Sequence, residues 1–267
     1  GLVVVEEGAA DLIGQAAARY NMPVALLVDE YDKPLLDNIE NPAMAMEIRD
    51  RLKNLYSVIK DRDEDLQFVF LTGVSKFSKV NIFSGVNNLS DITLDEKYAV
   101  ICGYTQQDLE TSFAEHLRDV NWKKLKAWYN GYNFLGESVY NPFDILLFID
   151  KGKSYRNYWF ETGTPTFLVE LMKKERYFLP NLQTVEVGEE ILGSFDIGQM
   201  ESTTLLFQTG YLTIQKQIQK HEEIRYRLCY PNQEVKRSLN RYLIEGYAQI
   251  GETKTRYQDS VYDSLEK

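Results

Sequence analysis

The chain contains little cysteine and histidine, and this scarcity excludes several kinds of site. Of its 267 residues, two are cysteines and two are histidines. Cys102 and Cys229 lie far apart, and neither belongs to a CxxC or CxxH pattern, so neither a disulfide framework nor a zinc site is predicted. The chain has two histidines, His116 and His221, which leaves little basis for a histidine-based catalytic triad or a multi-histidine metal site. This cysteine usage favours a reducing compartment.

Long hydrophobic runs and an excess of positive charge are also missing. The longest aliphatic stretches are VALLV (24–28) and ILLFI (145–149), far shorter than the ~20 residues that span a bilayer. Asp and Glu number 40 against 30 for Lys and Arg, and the resulting net charge of −10 repels nucleic acids and anionic membranes. We therefore predict a cytoplasmic protein without membrane contact. Because the chain begins without Met, we also predict that it is truncated at Gly1.

Two apolar stretches separated by a helical pattern predict an α/β fold. VALLV (24–28) is continuously apolar, which is typical of a parallel strand covered by helices on both faces. Apolar residues then recur every three or four positions over 43–60, so an amphipathic helix is predicted there. A second mostly apolar strand is predicted at 66–71. Ligands collect at the carboxyl ends of such strands, and we expect any chemistry at that edge.

Carboxylates and hydroxyls follow these two strands: Asp29 and Glu30 follow the first, and Thr72 and Ser75 the second. In P-loop ATPases an aspartate after such a strand holds Mg²⁺, usually through water, and the next glutamate orients or deprotonates the attacking water. We predict the metal role for Asp29 and the water role for Glu30. Thr72 or Ser75 would be the sensor of the γ-phosphate, and Lys76 would contact phosphate. The alternative is that the acids cap a turn in solvent and that Lys76 is a solvated lysine.

Beyond residue 100 the pattern changes to short helices. Thr105 with Asp108 resembles a capping box, and Asn141 before Pro142 is typical of a helix start. We therefore predict that 101–200 is all-helical.

A β-hairpin and a helix are predicted near the end of the chain. The stretches 211–219 and 224–230 flank a polar turn, and a helical pattern follows, which favours a winged-helix-like unit. The hairpin carries basic residues, among them Arg225 and Arg227, which could follow the phosphate backbone of a nucleic acid. A solvated basic face is the alternative interpretation.

Six blocks in order through most of the chain are more specific than any of these patterns. They are LLVDEYDKPLLDN (26–38), FVFLTGVSKFSKVNIFSGVNNLSDIT (68–93), WYNGYNF (128–134), VYNPFDIL (139–146), YWFETGTPTFLVELM (158–172) and LLFQTGYLTI (205–214). Together they closely resemble the bacterial AAA-ATPase-like family.

This resemblance implies both a fold and a function. The fold is α/β, with a P-loop NTPase-like parallel sheet core over 1–100 that lacks its N-terminal P-loop portion, a helical lid over 101–200 and a winged-helix-like segment over 201–267. The function is Mg²⁺-dependent binding and hydrolysis of ATP, used as a conformational switch. Asp29 and Glu30 match the family's acidic pair. Members often continue into a PD-(D/E)xK nuclease-like domain, which would begin in the last segment.

One element of the family is missing, because no GxxxxGK[ST] occurs in the sequence. That loop supplies the N–H groups and the lysine that bind phosphates, so the chain as written lacks much of the nucleotide affinity. Either the loop precedes Gly1 or the chain is a relative that has lost it. The alternative function is a non-catalytic module that binds nucleic acid or protein. Nuclease activity within the chain is not predicted, because the (D/E)xK matches, Glu234 with Lys236 and Glu252 with Lys254, lie outside predicted strands.

Overall fold

The structure is a computed structural model, and it describes residues 6–39, 41–75, 82–83, 88–159, 166–177, 182–189 and 201–248. The helices are α1 (Glu6–Tyr20), α2 (Lys33–Leu36), α3 (Pro42–Asp61), α4 (Gln106–Thr111), α5 (Trp122–Tyr129), α6 (Pro142–Asp150), α7 (Thr166–Lys174), α8 (Ser202–Gln208) and α9 (Gln233–Ala248). The strands are β1 (Val24–Val28), β2 (Leu66–Leu71), β3 (Asn130–Tyr132), β4 (Val139–Tyr140), β5 (Val185–Val187), β6 (Thr213–Lys220) and β7 (Glu223–Cys229). Within these described ranges, no helix combines the length and the apolar character needed to cross a bilayer.

The chain divides into two compact units. The first takes in Gly1–Asp91 and Glu190–Thr204, and the second takes in Ile92–Glu189 and Leu205–Lys267. The predicted lid and the predicted winged-helix-like segment both contribute to the second unit, so this division does not separate them.

A small parallel sheet and two long helices make up much of the first unit. β1 pairs with β2 in parallel, with Leu26 opposite Val69 and Val28 opposite Leu71. The predicted amphipathic helix is confirmed as α3, whose buried side chains are Ala45, Ile48, Leu52, Tyr56, Val58 and Ile59. The mixture of helices with a parallel sheet agrees with the predicted α/β class, while the P-loop core itself stays a prediction.

One face of this sheet is open to solvent. Leu27 of β1 is 69% exposed and Phe68 of β2 is 54% exposed. The prediction that VALLV (24–28) is covered on both faces is therefore wrong, since half-buried and exposed side chains alternate along the strand. An apolar run shows that a strand tolerates burial, but elements far away in the sequence decide which faces are covered.

Aromatic and aliphatic side chains form the core of the second unit. Its buried members are Leu109, Leu117, Leu125, Tyr129, Tyr140, Ile145, Phe148 and Tyr158. The ring centre of Tyr129 lies 5.7 Å from that of Phe148, so this contact joins α5 to α6. The Tyr129 hydroxyl donates to the carbonyl of Arg156 at 3.0 Å and accepts from its N–H at 2.9 Å. The core tyrosine thereby fixes the segment that follows α6.

Three short strands interrupt the region predicted to be all-helical, so that prediction is wrong. β3 and β4 pair with each other in antiparallel fashion, and β5 pairs with β7. Strands of two or three residues are too short to produce a period-two pattern. Gly131 of β3 has a φ of +122°, and a Cβ there would lie 1.9 Å from the carbonyl oxygen of Pro231. Only glycine allows this close approach of two backbones.

The predicted hairpin is confirmed as β6 and β7, and β5 completes a three-stranded sheet in the order β5-β7-β6. α9 follows, and its spacing predicts that Val235, Leu239, Tyr242 and Leu243 face inward; Val235, Leu239 and Leu243 are buried, whereas Tyr242 is half-buried. Oδ1 of Asn232 accepts the N–H of Val235 at 3.0 Å and so caps this helix. The winged-helix assignment stays a prediction.

The capping box of Thr105 with Asp108 is confirmed at the start of α4.

Candidate functional site

The backbone ladder between β1 and β2 continues into the turns that follow the two strands. The N–H of Thr72 donates to the carbonyl of Val28 at 2.8 Å, and the N–H of Tyr31 donates to the carbonyl of Thr72 at 3.0 Å. Because the strands are parallel, both turns lie at the same edge of the sheet. Four of the residues predicted to carry chemistry, Asp29, Glu30, Thr72 and Ser75, therefore lie in the segments that follow the carboxyl ends of the two strands.

Asp29 and Thr72 are in direct contact at this edge. The hydroxyl of Thr72 donates to Oδ1 of Asp29, and the backbone N–H of Glu30 donates to the same oxygen at 2.9 Å. The Asp29 carboxylate is exposed and Thr72 is half-buried. Two donors on one oxygen hold the carboxylate in a defined orientation while it remains open to solvent.

Glu30 lies in the turn and not on the strand. Its φ is +53°, a left-handed conformation that is uncommon for a residue with a side chain, and its side chain is exposed. β1 ends at Val28, so the alternation of side chains along the strand does not extend to Asp29 and Glu30. Within the described residues, no hydrogen bond joins the Glu30 carboxylate to Asp29 or Thr72. Strained backbone of this kind is concentrated at functional sites, although it does not itself assign a role.

The residue that sequence reasoning missed is Asp32, which is fully buried. Its Oδ1 accepts the N–H of Val74 at 3.1 Å, and its Oδ2 accepts both the N–H and the hydroxyl of Ser75 at 2.6 Å. From its place before α2, Asp32 would be expected to cap that helix, but it makes no side-chain cap bond there. The carboxylate instead binds the turn after β1 to the turn after β2, a long-range contact that no local pattern indicates.

Gly73 is required where these two turns meet. A Cβ on this residue would lie 2.5 Å from Cε1 of Tyr31 and 2.6 Å from Oδ1 of Asp32. Contacts this short do not occur in folded proteins, so any side chain at this position would push the two turns apart. Gly73 thus allows the two turns to approach each other closely enough for the Thr72 hydroxyl to contact the Asp29 carboxylate.

Ser75 is buried, and its hydroxyl donates to Asp32. Its carbonyl also accepts the Tyr31 hydroxyl at 2.8 Å. These contacts support a structural role for Ser75, and its predicted contact with nucleotide stays a prediction. Lys76, predicted to bind phosphate, lies outside the described residues.

Burial, together with the charge of Asp32, raises the pKa of Tyr56 to about 12, so this phenol stays neutral beside the two turns.

The oxygen atoms at this edge suit a magnesium ion. Mg²⁺ prefers hard oxygen ligands, and it commonly binds through one or two carboxylates while keeping several waters. Both hydrogen bonds to Asp29 are made to Oδ1. Among the described residues Oδ2 has no assigned donor, so it could coordinate a cation directly or accept a hydrogen bond from a water bound to the cation. The described part of the chain contains no cluster of three or more His, Cys, Asp or Glu residues that could hold a metal ion. Asp29 offers such an ion one oxygen, so most of its other ligands would be waters or phosphate oxygens.

The basic hairpin carries acidic partners. Arg225 lies 3.3 Å from Glu223, and Arg227 pairs with Glu186 on the neighbouring strand. The hydrogen bond from Arg227, more than any other influence, lowers the pKa of Glu186. Both guanidinium groups therefore have a carboxylate beside them, and contact of Arg225 and Arg227 with nucleic acid stays a prediction.

Comparison with known proteins finds a family model that matches part of the first unit. Residues 4–83 match the model of the AAA-ATPase-like family, described as a predicted AAA-ATPase. The match contains Asp29, Glu30 and Thr72, and it supports the predicted resemblance to this family. Neither a nuclease fusion nor a winged helix is part of it.

A curated relative extends the similarity to almost the whole chain. It is the "Uncharacterized protein in vnfD 5'region" of Azotobacter chroococcum mcd 1, which is 50% identical over 255 residues. The aligned residues make up 96% of this chain and 49% of that protein, so the chain spans about half the length of the relative it matches. No solved structure matches the chain significantly.

Proposed function

We propose that this chain forms the acidic-strand part of a site that binds and hydrolyses ATP with Mg²⁺. One observation carries the proposal: the Thr72 hydroxyl contacts the Asp29 carboxylate at the carboxyl edge of a parallel sheet. Open α/β sheets bind their ligands at that edge. The match of residues 4–83 to the AAA-ATPase-like family supports a nucleotide as the ligand.

In this proposal Asp29 is the residue that holds Mg²⁺, directly or through water. When bound, the ion would neutralise charge on the phosphates. Thr72 acts on Asp29 by donating to Oδ1, and the N–H of Glu30 donates to the same atom, so the carboxylate keeps one orientation. Such pre-orientation avoids reorganisation when the ligand binds.

Glu30 is proposed as the group that orients water and accepts its proton. Its carboxylate is exposed, and its left-handed backbone takes it off the strand and into the turn. A general base must reach the water at hydrogen-bond distance, and an exposed side chain beside Asp29 meets that requirement when the substrate is bound.

The proposed site needs a phosphate-binding loop, and the 267 residues do not contain one. The loop would have to come from another part of the protein or from a second chain. Binding of the phosphates depends on such a loop, because its backbone N–H groups supply most of the contacts. Any test therefore has to use the native full-length protein.

The test is the steady-state rate of ATP hydrolysis by the full-length protein and its Glu30→Gln variant. Loss of general-base catalysis typically costs 10²- to 10⁴-fold, so we expect turnover to fall by about 100-fold or more while Mg·ATP affinity stays within a few-fold. Asp37→Asn is the matched control, because Asp37 is an exposed carboxylate nearby whose ion pair is with Lys33, at 3.3 Å. Equal rates in the two variants, or no ATP binding by the wild-type protein, would contradict the proposal.

A further inference from the structure

The charged residues of the hairpin lie on the open side of the sheet β5-β7-β6. Tyr226 and Leu228 of β7 are buried, so their side of the strand is the one that packs into the second unit. Side chains alternate along a strand, and Arg225 and Arg227 therefore lie on the opposite side. Both arginines are half-buried, and the lysines of β6 are exposed. This side of the sheet is therefore accessible to a partner.

The strand register shows which other residues share this side, because directly opposite residues of antiparallel strands lie on the same face of a sheet. Seven residues are brought together in this way, and we call them the basic face: Glu186, Lys216, Ile218, Lys220, Glu223, Arg225 and Arg227. Four of them are basic and two are acidic, although the net charge of the whole chain is −10. The basic face thus reverses the sign of the protein's charge, which is the pattern of a site for a polyanion.

The two arginines of the basic face are only partly used by their carboxylate partners. Arg225 donates to Glu223 at 3.3 Å and Arg227 donates to Glu186, in both cases through Nη2. A guanidinium has five N–H donors in a planar fork. Among the described residues neither group has a hydrogen bond from Nη1. Each arginine can therefore donate to a phosphate oxygen while its neighbouring carboxylate holds it in place.

The lysines of the basic face have no ion pair within the described residues. Lys216 lies directly opposite Arg227, and like charges in such a pair destabilise a sheet. Lysines are common on edge strands, where they prevent pairing with other chains, and this can account for Lys216 and Lys220 on β6. It does not account for the arginines, because β7 is the central strand of the three. A bound anion between Lys216 and Arg227 would remove their repulsion.

Spacing and composition favour the backbone of a nucleic acid over other anionic partners. Arg225 and Arg227 are alternate residues of one strand, so their Cα atoms lie about 6.6 Å apart, comparable to the separation of consecutive phosphates along a nucleic-acid strand. Surfaces that bind anionic membranes combine basic side chains with large apolar ones. The apolar member of the basic face is Ile218, which is half-buried. The basic face therefore lacks the apolar area that a membrane would take up.

The composition of the basic face also favours a duplex over a single strand. Proteins that bind single strands stack the bases on aromatic side chains. The basic face has no aromatic member, since Tyr226 lies on the buried side of β7. A duplex keeps its bases stacked inside and presents its phosphates, and contacts to phosphates carry no sequence information directly.

We propose that the basic face binds the phosphate backbone of duplex nucleic acid without reading its sequence, through Lys216, Lys220, Arg225 and Arg227. Glu186 and Glu223 orient the arginines and limit the affinity, because they compete with phosphate for the same guanidinium groups. All seven residues belong to the second unit, whereas Asp29, Glu30 and Thr72 belong to the first. The proposal therefore does not depend on the proposed ATPase activity.

The test is the salt dependence of binding of the native full-length protein to a short labelled DNA duplex, measured by fluorescence anisotropy without nucleotide or divalent metal. The logarithm of the association constant falls with the logarithm of the salt concentration with a slope of about −0.9 per phosphate contact. Removing two contacts with Lys216→Gln and Lys220→Gln together should make the slope less steep by about 2. At low salt the same double variant should bind at least about tenfold more weakly.

The matched control removes the same charge elsewhere. Lys53→Gln with Lys60→Gln changes two exposed lysines of α3 in the first unit, and this protein should bind like wild type. Lys216→Arg with Lys220→Arg keeps the charge of the basic face and should also bind like wild type.

Glu223→Gln provides a gain of function that misfolding could not produce. It removes the carboxylate beside Arg225, so the duplex should bind more tightly than it does to wild type.

Four results would overturn the inference. The first is a wild-type protein that binds no duplex at low salt. The second is an equal loss of binding in the two double glutamine variants. The third is a single strand, or one particular duplex sequence, bound more tightly than duplexes in general. The fourth is equally strong, lysine-dependent binding to vesicles with anionic lipid or to an acidic polypeptide, because the basic face would then select charge and not nucleic acid.

Discussion

Thr72 donates its hydroxyl hydrogen to Oδ1 of Asp29, a residue 43 positions earlier in the chain. The two residues meet because each directly follows a strand of one parallel pair, in which Val28 lies opposite Leu71. The contact joins a carboxylate suited to a metal with a hydroxyl suited to a sensor at the edge where α/β proteins bind ligands. The proposed ATPase chemistry depends on this relationship.

Removing the Thr72 hydroxyl should lower the rate of ATP hydrolysis by the full-length protein. Thr72→Val keeps nearly the same shape but cannot donate to Asp29, and hydrogen bonds to charged groups contribute about 1.5–3 kcal/mol. We therefore expect turnover to fall by about 10- to 100-fold. Thr72→Ser, which retains the hydroxyl, is the matched control and should stay close to wild type in the same steady-state assay. A rate that falls with Ser but not with Val would show that the methyl group, and not the hydrogen bond, is what matters.

Asp32 should stabilise the turn after β2. Asp32→Ala leaves the N–H groups of Val74 and Ser75 without their acceptor, and each unsatisfied buried donor costs about 1–3 kcal/mol. We expect the free energy of local opening, measured by amide exchange of these two residues, to fall by about 2–4 kcal/mol. Asp37→Ala, an exposed carboxylate on the same segment, should change it by less than about 0.5 kcal/mol. Equal protection in both variants would mean that Asp32 does not hold the turn.

Two glycine substitutions should have opposite effects on stability. Gly73→Ala places a Cβ against Tyr31 and Asp32, and overpacking of this kind costs about 1–3 kcal/mol. Gly8→Ala lies in α1 with nothing within 4 Å of the new Cβ, so it should stabilise the helix by up to about 1 kcal/mol. Urea unfolding followed by far-ultraviolet circular dichroism measures both changes. A Gly73→Ala protein as stable as wild type would show that the two turns can separate without cost.

Local patterns predicted what depends on nearby residues. Two strands that each end in polar residues predicted that Asp29 and Thr72 would lie at one edge of the sheet, and the parallel pairing places them there. The hydrogen bond between them was not predicted. The capping box of Thr105 with Asp108 and the buried face of α9 also follow from spacing along a single helix. In each case the residues involved belong to one element or to two adjacent strands.

Which side chains of distant segments touch each other could not be predicted from local patterns. Asp32 directly precedes α2, but the partners of its side chain lie more than 40 residues away. Likewise, nothing in the sequence around Asp144 or Glu234 indicates that one N–H of Trp159 lies between them. Burial of these acids depends on how helices pack, which periodicity alone does not specify.

Calorimetric titration of the native full-length protein with ATP, in the presence and absence of Mg²⁺, tests the central claim most directly. The account predicts that wild type and Asp37→Asn bind ATP more tightly when Mg²⁺ is present, and that Asp29→Asn loses this dependence on the metal. Asparagine keeps one side-chain oxygen but lacks the negative charge of the carboxylate that would attract the divalent ion. An Asp29→Asn protein that binds Mg·ATP as tightly as wild type, or a wild-type protein that binds no nucleotide, would contradict the account.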